Sequence, residues 1–232
     1  MKMLNSLSVF FPCYNDSKTI GKLVKEAFDI LPKFTSDFEV VVIEDGSKDE
    51  SLKVLEKLKK SFPELKIIIH KVNLGYGRTL IDGFKNSNKE WVFYTDGDGQ
   101  YDITELNLLI DELETGIDVV NGYKLSRSDS FLRRYIGSFY SNITKKVYKL
   151  PIRDIDCDFR LIRRKLIEPE KLKSVSGGIC FELITSLNKK GAKFKEVGVH
   201  HYPRKYGKSQ FFKFKHLINT ILDWKKLLSK PY

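Results

Sequence analysis

Trp91-Val92-Phe93-Tyr94-Thr95-Asp96-Gly97-Asp98-Gly99-Gln100 passes from an apolar, β-rich run to two carboxylates set among glycines. Such a run bounded by turn residues predicts a buried strand, with the acidic pair just past its carboxyl end. Two earlier stretches share this design. Leu7–Phe11 leads into Pro12-Cys13-Tyr14-Asn15-Asp16, and Phe38–Ile43 leads into Glu44-Asp45-Gly46-Ser47-Lys48-Asp49. Further β-rich runs occur at Leu65–Ile69 and Val119–Asn121. Between them lie segments of helical spacing, such as Ile20, Leu23, Val24, Ala27 and Leu31. This alternation predicts a mostly parallel, Rossmann-like α/β sheet flanked by helices. Ligands of open α/β sheets bind beyond the carboxyl ends of the strands, so three polar strand ends predict one shared crevice.

After residue 122 the pattern becomes irregular. A helix is predicted near Leu132–Leu150, a strand at Phe159–Ile162, a helix near Phe181–Lys190 and a strand at Phe194–His200. Charge divides at the same place. Residues 1–122 carry 15 Lys and Arg against 21 Asp and Glu, a net of −6, whereas residues 123–232 carry 26 against 9, a net of +17. A basic half suits nucleic acid, an anionic membrane surface or a phosphorylated substrate, and composition does not choose among them. The 232 residues, 41% hydrophobic, suffice for one large core. Cys13, Cys157 and Cys180 are three widely spaced cysteines without a CxxC pair, which argues against a disulfide framework or a zinc site. No signal peptide and no run of about 18 apolar residues is legible, and a cytoplasmic protein without a membrane span is expected.

Asp96 and Asp98 flank a small residue after a buried strand, where both can face a divalent cation that also holds a diphosphate. Hard oxygen ligands suit Mg²⁺ or Mn²⁺. Taken alone, the pair reads equally well as a solvated acidic turn. Glu44–Asp49 closes the second strand, where a carboxylate is placed to meet a base or ribose, and Ser47 or Asp49 is expected to cap the following helix. The first strand-to-helix turn lacks G-x-G-x-x-G, which argues against a nicotinamide-dependent dehydrogenase. Asn73-Leu74-Gly75-Tyr76-Gly77-Arg78 reads as a phosphate-side loop opening a helix, or as a plain turn.

The ordered set Phe11-Pro12-Cys13-Tyr14-Asn15, Ile43–Asp49, Asn73–Gly77, Asp96–Gln100, Arg153-Asp154-Ile155-Asp156-Cys157-Asp158-Phe159-Arg160 and Arg204–Ser209 resembles the family-2 glycosyltransferases of the inverting GT-A fold. Within them it is most similar to dolichyl-phosphate mannose synthases and other polyprenyl-phosphate glycosyltransferases. The resemblance covers nearly the whole chain. It implies a 1–210 catalytic domain, with a nucleotide-sugar half at 1–122 and an acceptor half at 123–210; charge and apolar spacing add a basic amphipathic helix at 211–232. It further implies that Pro12, Tyr14, Asp16 and Asp45 hold the nucleoside, and that Asp96, Asp98 and Gln100 hold the metal and diphosphate. Arg134 and Ser138, one helical turn apart, would receive a lipid phosphate. Arg204 and Lys208 would close the donor site from the C-terminal side. Two departures stand out. Asp16 occupies a position where the family often has Glu, and Asp156-Cys157-Asp158-Phe159-Arg160 replaces Thr-Ser-Gly-Phe-Arg. Asp154 keeps the acidic position before that segment, which reads either as functional or as ion pairs with neighbouring arginines. The Gln-x-x-Arg-Trp motif of processive polysaccharide synthases is missing.

The implied reaction moves a hexose from a GDP-mannose or UDP-glucose type donor to polyprenyl or dolichyl phosphate. A phosphomonoester has a second pKa of about 6, so its oxygen is already an anionic nucleophile and needs no general base. A glycan hydroxyl acceptor would need one, with Asp154 or Asp156 the candidates. From Arg204 onward, eight Lys and Arg and one acid, Asp223, are interleaved with Phe211, Phe212, Phe214, Leu217, Ile218 and further apolar residues. That spacing suits a helix in a membrane interface on the cytoplasmic face, or one packed on the core, with a membrane partner subunit as another route to the lipid. A basic nucleic-acid-binding protein is the remote alternative, because it leaves three carboxylate-bearing strand ends without a purpose.

Overall fold

The computed structural model describes residues 2–125 and 150–207. The helix expected near Leu132–Leu150, the residues Arg134, Ser138 and Lys208, and the 211–232 segment lie outside the described residues, Leu150 excepted. Among the described residues seven strands form one sheet: β1 (Leu7–Cys13), β2 (Phe38–Glu44), β3 (Lys66–Ile69), β4 (Trp91–Thr95), β5 (Val119–Lys124), β6 (Phe159–Arg163) and β7 (Phe194–Val199). Their order is β3-β2-β1-β4-β6-β5-β7. Pairing is parallel for β1 with β2 and β4, for β2 with β3 and for β5 with β7, whereas β6 runs antiparallel between β4 and β5. Strands from the 1–122 segment and from beyond it therefore share one sheet.

Among the described residues five α-helices cover the sheet: α1 (Ile20–Ile30), α2 (Ser51–Ser61), α3 (Tyr76–Lys85), α4 (Leu106–Asp111) and α5 (Gly178–Lys189). Successive residues of a strand point to opposite faces, and the core splits accordingly. Leu7, Val9, Phe11, Val40, Val42 and Phe93 join Ile20, Leu23, Val24 and Ala27 of α1 on one face. Phe10, Val41, Ile43, Val92 and Tyr94 join Leu80, Ile81 and Phe84 of α3 and Ile179 and Leu183 of α5 on the other. Both faces of β1 and β2 are buried, which is why these strands read as unbroken apolar runs. Helix α5 begins three residues before the expected start, where Ser176 Oγ accepts the Gly178 amide at 3.3 Å.

The chain winds from β1 outward through β2 to β3 and returns to lay β4 on the other flank of β1. This reversal is a topological switch point, where loops after neighbouring strands part and leave a crevice. The polar ends of β2, β1 and β4 stand side by side at it.

Candidate active site

Main-chain contacts assemble the crevice. Gly97 N donates to Pro12 O at 3.1 Å, joining the β4 end to the β1 end. A Cβ at position 97 would lie 2.5 Å from that same oxygen, so the residue between the two aspartates must be glycine for this approach. Asn15 takes the left-handed conformation, φ 56°, at the turn after β1. Its amide donates to Ser47 Oγ and its Oδ1 accepts from Lys48 N, which tie the β1 loop to the β2 loop. Ser47 is thus spent on Asn15, and Asp49 meets the start of α2, its Oδ1 accepting from Ser51 N at 2.9 Å.

Four carboxylates converge at the switch point. Asp98 Oδ1 accepts from Gln100 N at 3.0 Å and Oδ2 from Arg204 Nη2 at 2.5 Å. Arg204 Nη1 lies 3.7 Å from Asp16 Oδ1, so one guanidinium spans both acids. Asp96 Oδ1 accepts from the Tyr76 hydroxyl at 2.8 Å. Asp158, immediately before β6, completes the group. Its Oδ1 accepts from Cys180 Sγ at 3.0 Å and from the Tyr94 hydroxyl at 3.5 Å, and lies 3.9 Å from Arg160 Nη1. Arg160 is fully buried and also donates to Asn121, Tyr94 and the Ile155 carbonyl. Burial and the charge of Asp98 push the Asp16 carboxyl up from 3.8 to about 7. Burial, then Asp158 and Asp98, hold the Asp96 carboxyl well above the usual range. Burial and neighbouring acids thus outweigh what Arg204 returns to Asp16 and what the Tyr76 hydroxyl returns to Asp96.

A divalent cation fits this donor set. The ligands are hard carboxylate oxygens, and the charge they accumulate is negative. Among the described residues no three metal-ligating side chains form a ready-made cage.

The remaining expected residues are placed as follows. Pro12 lies in β1, in register with Ile43, and Tyr14 N donates to Asp16 Oδ2. The side chain of Gln100 donates to Tyr202 O at 2.9 Å, while Tyr202 N donates back to Gln100 O, so this glutamine straps the Arg204 segment onto the crevice. Asp45 is buried, and each of its carboxylate oxygens makes two contacts with the protein. Oδ1 meets Leu74 N and His70 Nδ1, and Oδ2 meets Asn73 Nδ2 and Gly75 N. Asp45 therefore shapes the 73–75 loop from below. Asp154 is buried near the end of β5, where Oδ2 accepts from Lys124 N at 3.3 Å, and Asp156 is exposed. Tyr76 and His70 are not expected at the site from the sequence, and Asp158, open there between a functional and an ion-pair reading, stands among the acids while lying 3.9 Å from Arg160 Nη1. Asp158 and Tyr76 stand inside motifs that were singled out, but only the antiparallel course of β6 shows that Asp158 faces Asp96.

The family model described as Glycosyl transferase family 2 matches residues 8–169. Among curated proteins, the chain is 27% identical over 228 residues to the undecaprenyl-phosphate 4-deoxy-4-formamido-L-arabinose transferase of Photorhabdus laumondii, covering 96% of this chain and 67% of that protein. It is 26% identical over 226 residues to the Proteus mirabilis enzyme of the same name, covering 95% of this chain and 67% of the relative. Among solved structures, glucosyl-3-phosphoglycerate synthase from Mycobacterium tuberculosis in complex with Mn²⁺, UDP and glucosyl-3-phosphoglycerate superposes with a TM-score of 0.72 at 15% identity, covering 97% of this chain and 79% of that one. Its complex with Mg²⁺ and UDP gives a TM-score of 0.73 at 13% identity, covering 98% and 81%. These structures establish the GT-A architecture. With the family match spanning β1 to the region after β6, the chain belongs to glycosyl transferase family 2.

Proposed function

We propose that this protein is an inverting glycosyltransferase that moves a sugar from a nucleotide-sugar donor to a polyprenyl phosphate with the help of Mg²⁺ or Mn²⁺. One observation carries the reading: Asp16, Asp96, Asp98 and Asp158 gather at the switch point of a family-2 fold, where burial and neighbouring acids hold Asp16 and Asp96 well above the usual carboxylate range even with Arg204 beside Asp16 and Asp98. The names of the curated relatives support undecaprenyl phosphate as the acceptor, and the Mn²⁺ and Mg²⁺ complexes of the structural neighbours support a divalent cation.

In this reading Asp96 and Asp98 hold the cation, with Gln100 holding the turn between them and the Arg204 strap. The bound cation neutralises charge on the departing nucleoside diphosphate. Pro12, Tyr14 and Asp16 border the nucleoside, Asp45 presents the loop that lies against it, Arg204 turns from the acids to the diphosphate, and Lys208 supplies a second cation to the donor site. Arg134 and Ser138 receive the acceptor phosphate, whose own oxygen attacks the anomeric carbon from the face opposite the leaving group. An anionic nucleophile needs only positioning, so no side chain has to remove a proton. Asp158 then shapes the field on the acceptor side. Were the acceptor a glycan hydroxyl, Asp158 would be the better-placed base, since Asp154 is turned to the Lys124 amide. The catalytic domain is taken as 1–210 and the 211–232 helix as an interfacial anchor on the cytoplasmic face. Among the described residues no helix is long and apolar enough to cross a membrane.

Purified protein, undecaprenyl phosphate and Mn²⁺ should transfer sugar from one of GDP-mannose, UDP-glucose or nucleotide-linked 4-deoxy-4-formamido-L-arabinose. Transfer should stop with excess chelator and in Asp98→Ala. Transfer that persists in both would remove the metal role, and failure with every donor would remove the acceptor assignment.

A further inference from the structure

We propose that His70 is a positioning residue for donor binding, through its hold on Asp45; this rests on the crevice being the nucleotide-sugar site. His70 follows β3, and its amide donates to Glu44 O at 2.8 Å, which pins it beside the end of β2. Its ring is buried between two acids. Nδ1 lies 2.7 Å from Asp45 Oδ1 and Nε2 lies 3.1 Å from Asp82 Oδ2. Asp82, on α3, also accepts from Arg78 Nε at 2.8 Å. A line of polar contacts therefore runs from the surface of α3 through Asp82 and His70 to Asp45.

Asp45 passes this constraint to the crevice. Its two oxygens gather Asn73 Nδ2 and the amides of Leu74 and Gly75. Gly75, at φ 95°, turns the chain into α3, whose first residue, Tyr76, donates to Asp96. A carboxylate free to rotate on its χ2 could not keep all of these contacts, and a buried hydrogen-bond network is costly to leave partly satisfied. The imidazole supplies the contact on the side away from the loop and is itself fixed from behind by Asp82. A ring that reaches an acid at each end does this in one residue, whereas an amide side chain reaches one end only.

That difference supplies the test. Asn at position 70 places its nitrogen near that of Nδ1 and keeps the Asp45 contact; Gln places it near Nε2 and keeps Asp82 instead. In the full chain, the affinity for UDP and for GDP with Mn²⁺ is measured by calorimetry, alongside Tm and the KM values of donor and acceptor. His70→Asn should bind the nucleoside diphosphate within about threefold of wild type. His70→Gln should bind it about tenfold or more weakly, with donor KM rising in step and acceptor KM unmoved, the scale of one lost charge-assisted hydrogen bond. Each variant forfeits one buried contact, so the two should lose similar Tm. Equal loss of affinity in both, tracking Tm, would overturn the proposal, as would unchanged affinity in both. If His70→Gln does not fold, Asp82→Ala frees the far end of the ring and should weaken binding about threefold; unchanged affinity there counts equally against the idea. Wild-type protein that binds neither nucleotide refutes the nucleotide-site reading itself and this proposal with it.

Discussion

Replacing Asp16 with Asn should shift the stability of the metal-free protein, relative to wild type, in the variant's favour as pH rises, although the residue belongs to the proposed donor site. The Asp16 carboxyl is pushed from 3.8 to about 7, by burial first and by the neighbouring Asp98 charge second, with Arg204 only partly offsetting them. A carboxyl whose native pKa lies above its unfolded value favours the protonated native state. Its contribution is therefore greatest in acid, declines as pH rises through the interval from about 4 to about 7, and is flat above. At about pH 5.5 the unfolded carboxyl is already ionised while the native one keeps its proton. Between there and about pH 8 the native protein loses roughly 2 kcal/mol, from 1.36 kcal/mol for each pH unit up to about 7. Asn does not titrate, so the advantage of the variant over wild type should grow by that amount, whatever the packing cost of the substitution. For a chain of this size the change amounts to roughly 4–8 °C in Tm. Melting both proteins with chelator at the two pH values gives the result directly. A Tm difference that is the same at both, or that moves against the variant in alkali, would refute the account of Asp16 as a buried acid that Arg204 only partly offsets.

Two further expectations concern residues outside the described part of the chain. Arg134→Ala should raise the KM for polyprenyl phosphate by about tenfold or more, the scale of a charge-assisted phosphate contact, and leave nucleotide affinity unchanged; weaker nucleotide binding instead would move Arg134 to the diphosphate. Wild-type protein should float with anionic vesicles and release as salt rises, because the Lys and Arg contribution is screened beyond about 8 Å at physiological ionic strength. Protein that stays in solution with such vesicles at low salt would assign the 211–232 segment to core packing.

Local patterns in the chain suffice to place the strands, most of their limits and the sheet edge at which Asp16, Asp96 and Asp98 gather. Apolar runs such as Val40–Ile43 and Val92–Tyr94, and the spacing of Ile20, Leu23, Val24 and Ala27, are local patterns. Each follows from side-chain geometry within a few residues. Asp96 and Asp98 were legible for the same reason, since they sit directly after a strand that can be read without knowing its neighbours. What lay opposite them was not legible. Asp158 reaches Asp96 because β6 runs antiparallel beside β4, with Thr95 opposite Phe159, and that register depends on packing between distant segments. Arg204 meets Asp98 across 106 positions of sequence. Asp45, expected at the nucleoside, is enclosed by the 73–75 loop and His70, whose buried position between two acids leaves no periodic trace. Local propensity sets where elements begin and end; the partners of a buried polar group are chosen only when the elements pack, because each buried donor and acceptor must then be satisfied by whatever the tertiary structure brings within reach.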